Sequence, residues 1–143
     1  MSDASARSID AELAELKDTF ELLGDWEERY RHLIDLGKAL PSLSDAERTD
    51  ANKVRGCASQ VWLVTDRRPD GKIVFKGDSD AHIVRGLVAI VLRLYSGRPR
   101  EEILSFDAKA AFAELGLAGA LSAQRSNGLA AMVDRIRRDA AAA

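Results

Sequence analysis

Sulfur is scarce in this chain. Its 143 residues hold one cysteine, Cys57, so no disulfide can form within it, and one thiol with two histidines makes a poor metal cage. The fold must therefore rest on a buried core, which a chain of this length can supply as one domain, residues 1–143. Long apolar runs are missing too. The longest, Ile83 to Leu92, is interrupted by Arg85 and is too short to cross a bilayer. The N-terminus is polar and has no signal-peptide core. Neither sign of charge is in excess: a net charge of -2 gives no electrostatic reason to expect nucleic acid or an anionic membrane as a partner. There is no Walker-type lysine loop, no G-x-G-x-x-G, no zinc motif and no G-x-S-x-G elbow. A free thiol without a secretion signal points to a reducing compartment, the cytoplasm.

What is present divides into three sections between ends expected to fray, residues 1–7 and 140–143. The first is helical. Ile9, Leu13, Leu16, Phe20 and Leu23 recur at helical spacing, with Ser8 as cap and Gly24 as stop. Asp25 caps a second helix, with Glu28 completing a capping box, and turns Trp26, Tyr30, Leu33, Ile34 and Leu40 inward. The short break between them predicts a helical hairpin.

In the middle the period changes. Val61 to Thr65 is β-branched and aromatic, Pro69-Asp70-Gly71 signals a turn, and Ile73-Val74-Phe75 follows up to Gly77-Asp78, so a β-hairpin is expected. A short strand around Asn52 to Arg55 would put Cys57 in a tight connection before it. Trp62 is expected to anchor the core. The last section is helical again. Ser79 or Asp80 starts a central buried helix that Gly97 stops, a short helix follows Pro99, Asp107 caps another, and Ser122 caps the last, whose inward face is Leu129, Met132, Val133 and Ile136. Two helices, a small antiparallel sheet of about three strands and several C-terminal helices make an α+β fold.

Cys57 is the candidate for chemistry. Taken alone, a free cysteine is better explained as a small buried hydrophobe than as a reactive group. Its neighbours argue otherwise: Gly56 lets the backbone bend, Ala58 and Ser59 leave little bulk, and Lys53 and Arg55 are cations that favour a thiolate. His82 is the candidate base for an independent cysteine-nucleophile enzyme, although a solvent-side histidine at a helix start is the better explanation of it. A structural adaptor with an inert Cys57 is the third reading. Arg135, Arg137 and Arg138 near a helix C-terminus are explained by the dipole there.

One stretch goes further. Asn52 to Leu63 carries Gly-Cys-x-Ser-x-Val-Trp; Trp26 to Tyr30 and Ile34 to Gly37 precede it, and Gly77 to Ala81, Ile83 to Leu87, and Arg125 with Asn127-Gly128-Leu129 follow it, in the family's order. From about Leu22 to Arg138 the chain closely resembles the SufE family of sulfur-accepting proteins. The resemblance implies a SufE/IscU-like fold, though IscU-type scaffolds hold a cluster with three cysteines and this chain has one. It implies that Cys57 accepts sulfur from the persulfide of a pyridoxal-phosphate cysteine desulfurase, SufS-like or CsdA-like. Cys57 would then pass it to a downstream iron–sulfur scaffold. Gly56, Ser59, Asp80 and Arg125 are implied as supporting and interface residues. No cofactor or metal is expected on this chain, the pyridoxal phosphate belonging to the partner.

Overall fold

The computed structural model describes residues 8–56, 59–117 and 123–142. The expectations for residues 1–7, for the Ser122 cap and for Cys57 itself lie outside the described residues. Helix α1 (Ile9–Leu22) begins where the side chain of Ser8 accepts the Ala11 amide at 3.0 Å. This satisfies one of the amides that every helix start leaves without a partner. Helix α2 (Trp26–Ala39) begins in the same way, Asp25 Oδ1 accepting the Glu28 amide at 2.9 Å. Glu28 reaches back to the Gly24 amide at 3.1 Å, one residue before the cap.

These helices do not form a self-contained hairpin. Both rest on α3 (His82–Tyr95), and the ring contact between them is Phe20 edge-on to His32, centroids 5.3 Å apart. His32 is thus half-buried against Phe20. The fit of α2 on α3 depends on two glycines. A Cβ on Gly86 would lie 2.1 Å from the Leu33 carbonyl oxygen, and one on Gly37 would lie 2.9 Å from the Gly86 nitrogen. The backbones touch because neither residue has a side chain. Trp26 and Tyr30, expected to point inward, are 42% and 39% exposed. They lie on the same stripe as Leu33 and Gly37, but at its open end, where large rings with a polar edge tolerate water.

Strands β1 (Val61–Arg67) and β2 (Lys72–Ser79) pair antiparallel from Val61 opposite Ser79 to Arg67 opposite Ile73. Their turn uses Gly71 at φ +89°, and the Lys72 amide donates to Asp70 Oδ1 at 3.0 Å. Glycine was expected to end β2 at Gly77. Instead the strand runs on, because a Cβ there would sit 3.0 Å from Val88 Cγ1 and glycine lets α3 approach the sheet. The third strand is β3 (Arg98–Pro99), which pairs with the start of β2 and gives the order β1-β2-β3.

The expected strand at Asn52 to Arg55 is a single bridge, Lys53 opposite Trp62. The Val54 amide donates to the Val61 carbonyl, and the Leu63 amide to that of Asn52, both at 2.8 Å. Helices α4 (Arg100–Ser105), α5 (Ala108–Glu114) and α6 (Ala123–Ala141) complete the chain. Asp107 caps α5, its Oδ1 accepting the Ala110 amide at 3.1 Å. Ala140 is not a frayed end. It is fully buried in α6, as are Ile136 and Met132, so the apolar stripe continues to the last turn.

The core joins Leu63, Ile73 and Phe75 of the sheet to Leu87, Ile90, Val91, Leu94 and Tyr95 of α3, and to Ile103, Phe112, Met132 and Ile136 beyond. Trp62 is buried but lies outside this cluster, since alternation along β1 turns it to the opposite face of the sheet. Among the described residues no helix is long and apolar enough to cross a membrane.

Candidate functional site

The loop that carries Cys57, residues 55–60, springs from a closed frame. Its base is the Val54–Val61 hydrogen bond. On its N-terminal side the backbone turns at Gly56, whose φ of +94° strains any residue with a side chain. A Cβ there would also lie 3.3 Å from the Cβ of Ala131 on α6, so the loop starts hard against that helix.

Helix α6 is fastened to the same flank by Arg135. Its Nη2 donates to the Ala51 carbonyl at 2.8 Å and its Nη1 to that of Lys53 at 3.4 Å, while Nε faces Asp139 Oδ2 at 3.3 Å. Asp139 in turn accepts the Thr65 hydroxyl at 2.7 Å. One arginine–aspartate pair thus ties α6 both to β1 and to the segment that leads into the loop. The helix dipole was a sufficient explanation of Arg135 from sequence; in the fold its work is tertiary. Arg137 likewise donates to the Phe106 carbonyl at 3.2 Å.

The C-terminal side of the loop is held by Asp80. Its Oδ1 accepts the Gln60 amide at 3.1 Å, its Oδ2 the Gln60 side-chain amide at 3.4 Å, and its own amide donates to the Gln60 carbonyl at 3.2 Å. Asp80 does not cap α3, which starts two residues later with Ala81 in the cap position and no side-chain cap. The Ser79 hydroxyl instead accepts the Ala81 amide at 3.2 Å.

Asp78, two residues before Asp80, is fully buried and sits among donors alone. Its Oδ2 accepts from the Leu43 amide at 3.0 Å and from Arg48 at 2.7 Å. Its Oδ1 accepts the Ser79 amide at 2.8 Å and faces Arg85 Nε at 3.1 Å. Burial alone would raise its pKa, but the two amides and the two guanidinium groups outweigh that and hold it below the usual aspartate value. Arg85 also donates to the Leu40 carbonyl at 2.6 Å, so the hub binds the end of α2, the start of α3 and the end of β2 together.

Arg48 lies 5.3 Å above the ring of Trp62, whose register partner is Asp78. The turn that delivers Arg48 is its own capping box. The Glu47 amide and the Ser44 hydroxyl meet at 3.3 Å, and Glu47 Oε1 accepts the Ser44 amide at 3.0 Å. Lys76 Nζ, 2.6 Å from Glu47 Oε2, together with the Ser44 amide lowers the Glu47 pKa to about 2.

Of the candidates from sequence, the structure brings Gly56 and Asp80 to the two flanks of one loop, and Ser59 is a half-buried bend on its C-terminal side. Arg125 stands half-buried near the start of α6. It lies six residues, about 9 Å of helix rise, before the Ala131 that backs Gly56. His82 is the exposed first residue of α3. Cys57 and Ala58 lie outside the described residues. Among the described residues no group of three His, Cys, Asp or Glu side chains is placed to hold a metal. Arg48 and Asp139 escaped sequence reasoning, as did the tertiary roles of Asp78, Arg85 and Arg135, although Asp78 and Asp80 stand out as a pair of which capping explains only one. One signal was available: Arg85 interrupts the most apolar helix, and an inward-facing cation needs a partner.

Comparison with known proteins places the chain as a whole. A family model described as SufE, Fe-S metabolism associated domain, matches residues 14–140. The chain belongs to the SufE family. Family membership gives it a role in Fe–S metabolism. An uncharacterized SufE-like protein of Rhizobium etli is 59% identical over 133 residues, covering 91% of this chain and 90% of that one. Another from Rhizobium meliloti is 51% identical over 131 residues, covering 90% of this chain and 94% of that one. In structure, a hypothetical protein from Thermus thermophilus, solved in solution, matches with a TM-score of 0.73 over 92% of this chain and 97% of its own. At 19% identity this neighbour speaks for the α+β fold alone.

Proposed function

We propose that the chain is a sulfur acceptor: Cys57 takes sulfur from the persulfide of a pyridoxal-phosphate cysteine desulfurase, stimulates that enzyme, and delivers the sulfur for iron–sulfur cluster assembly in the cytoplasm. The observation that carries this reading is the coincidence of SufE membership with a sole cysteine in a loop tethered at both ends, by Val54–Val61 and by Asp80–Gln60.

The chemistry balances with one thiol. The Cys57 thiolate attacks the outer sulfur of the donor's persulfide, a new S–S bond forms on Cys57, the donor's S–S bond breaks, and the donor leaves as its thiolate. No external oxidant or reductant takes part. A second cysteine in the same chain would discharge the new persulfide as a disulfide, and this chain has none. The protein's part is to present the acceptor sulfur; the pyridoxal phosphate that activates free cysteine belongs to the partner. Gly56 and Asp80 serve as the two fixed points between which Cys57 is offered, and Ser59 and Arg125 flank the surface the desulfurase meets.

The test is sulfide or alanine release by a cysteine desulfurase with and without this chain. Stimulation by wild type and none by Cys57→Ser is expected, the hydroxyl being close in shape but a poor sulfur nucleophile at neutral pH. Equal stimulation by both proteins would remove Cys57 from the mechanism.

A further inference from the structure

The N-terminal flank of the loop is unusual in its charges. Most arginines near the core are committed: Arg48 and Arg85 to Asp78, Arg93 to Glu12 and Glu15, Arg135 to Asp139. Lys53, Arg55 and Arg138 have no carboxylate partner among the described residues. They nevertheless converge. All three line a cleft of about 270 Å³ between residues 50–55 and α6, which Asp50 and Asp139 share, and Arg55 and Arg138 also line an adjoining groove of about 570 Å³. The groove is lined as well by the apolar Leu104, Ala131 and Ala141, by Arg137 and by one carboxylate, Asp134. Ala131 is the residue against which Gly56 packs, so the groove runs up to the residue before Cys57.

In a chain whose net charge is -2 this concentration of unpaired cations is local, and crowding like charges without partners is unfavourable in the isolated protein. An apolar lining among cations complements a segment that carries carboxylates beside aliphatic side chains. A sulfur donor must bring its persulfide within bonding distance of Cys57, so its contacts have to fall on the surface around residues 55–60. We propose that this groove docks an acidic, amphipathic segment of the sulfur-donating protein. The proposal rests on the sulfur-acceptor reading. Nucleic acid fits less well, because the cations are confined to this one groove, part of its lining is apolar, and the whole chain carries a net charge of -2.

Rim charges act mainly on the rate of encounter, and salt screens them. The experiment measures the rate at which a persulfide-loaded cysteine desulfurase transfers sulfur to this chain at low and high salt. Wild type is compared with Arg55→Glu/Arg138→Glu, with Arg55→Ala/Arg138→Ala, and with Lys17→Glu on α1 as a charge control. The expected result is a wild-type rate that falls with salt and a charge-reversed protein slower by about tenfold at low salt with little salt dependence. The alanine pair should fall between, and Lys17→Glu should match wild type. If charge reversal impairs folding, judged by thermal melting, the alanine pair decides alone. A heptaglutamate peptide should slow transfer to wild type and not to the alanine pair. Transfer to the arginine variants at the wild-type rate and salt slope overturns the groove assignment and leaves the acceptor reading intact. So does competition by an RNA oligonucleotide where the acidic peptide has no effect. Wild type that gains no sulfur at all overturns the acceptor reading, and the docking proposal with it.

Discussion

Replacing Asp78 by asparagine keeps the shape of the hub and reverses part of its chemistry. A carboxylate accepts at both oxygens, and all four neighbours are donors: the Leu43 and Ser79 amides, Arg48 and Arg85. Whichever way the asparagine turns, its NH2 group faces one backbone amide and one guanidinium. Breaking a buried ion pair from one side costs about 3–5 kcal/mol. The side chains of Arg48 and Arg85 are 37% and 20% exposed and keep some water, which places the loss near the lower end, about 3 kcal/mol. With an unfolding entropy of about 2.1 cal/mol/K per residue, a chain of 143 residues loses about 10 °C in Tm for that amount.

The pH dependence supplies a second reading of the same variant. The folded-state pKa of Asp78 lies below its unfolded value, so the stability it contributes is fully present above the ordinary aspartate pKa of about 3.9. That contribution is lost as pH falls from there through the depressed folded value. Once protonated, Asp78 faces the same donors with an O–H and resembles the asparagine. Thermal melts of both proteins from pH 7 into acid should therefore show a gap that is full at neutrality and closes below about pH 3.9. Melting within about 2 °C of wild type at pH 7, or a gap that persists unchanged in acid, would refute the hub.

Other consequences are more local. Gly86→Ala puts a methyl group 2.1 Å from the Leu33 carbonyl oxygen, so α2 must lift from α3; a loss of about 3 kcal/mol by chemical denaturation is expected, whereas Gly24→Ala, with nothing nearby, should be close to neutral. Asp80→Ala releases Gln60 and should raise the alkylation rate of Cys57 about fivefold, the worth of one hydrogen bond of about 1 kcal/mol, with little change in Tm. Lys76→Ala should return the Glu47 pKa from about 2 towards the ordinary glutamate range in an NMR titration.

The fold was largely legible because local signals agreed with one another. The caps at Ser8, Asp25 and Asp107, the Pro-Asp-Gly turn and the strongly apolar surface of α3 each point to one structure, and each element forms near its expected place. What failed was long-range. Gly77 reads as a strand end in sequence because its neighbour Val88 is eleven positions away, and Trp62, buried as expected, sits apart from the main cluster because periodicity names a face without saying what covers it. The hairpin of α1 and α2 failed for the same reason: α3, the surface both helices prefer, comes much later in the chain. At the site, residue types and the family motif pointed to the loop of Cys57 and to Asp80. The roles of Asp78, Arg48, Arg85 and Arg135 depend on partners far off in sequence, which no local pattern displays.

The central claim is that sulfur comes to rest on Cys57. Intact-protein mass spectrometry after mixing this chain with a cysteine desulfurase, its pyridoxal phosphate and free cysteine reads that directly. Peptide mapping of the same sample then locates any added sulfur. The expected result is a gain of the mass of one sulfur atom, reversed by a reducing thiol, mapped to the peptide holding Cys57 and absent from Cys57→Ser. An unchanged mass alongside a fully active desulfurase, or a gain that survives Cys57→Ser, would contradict it.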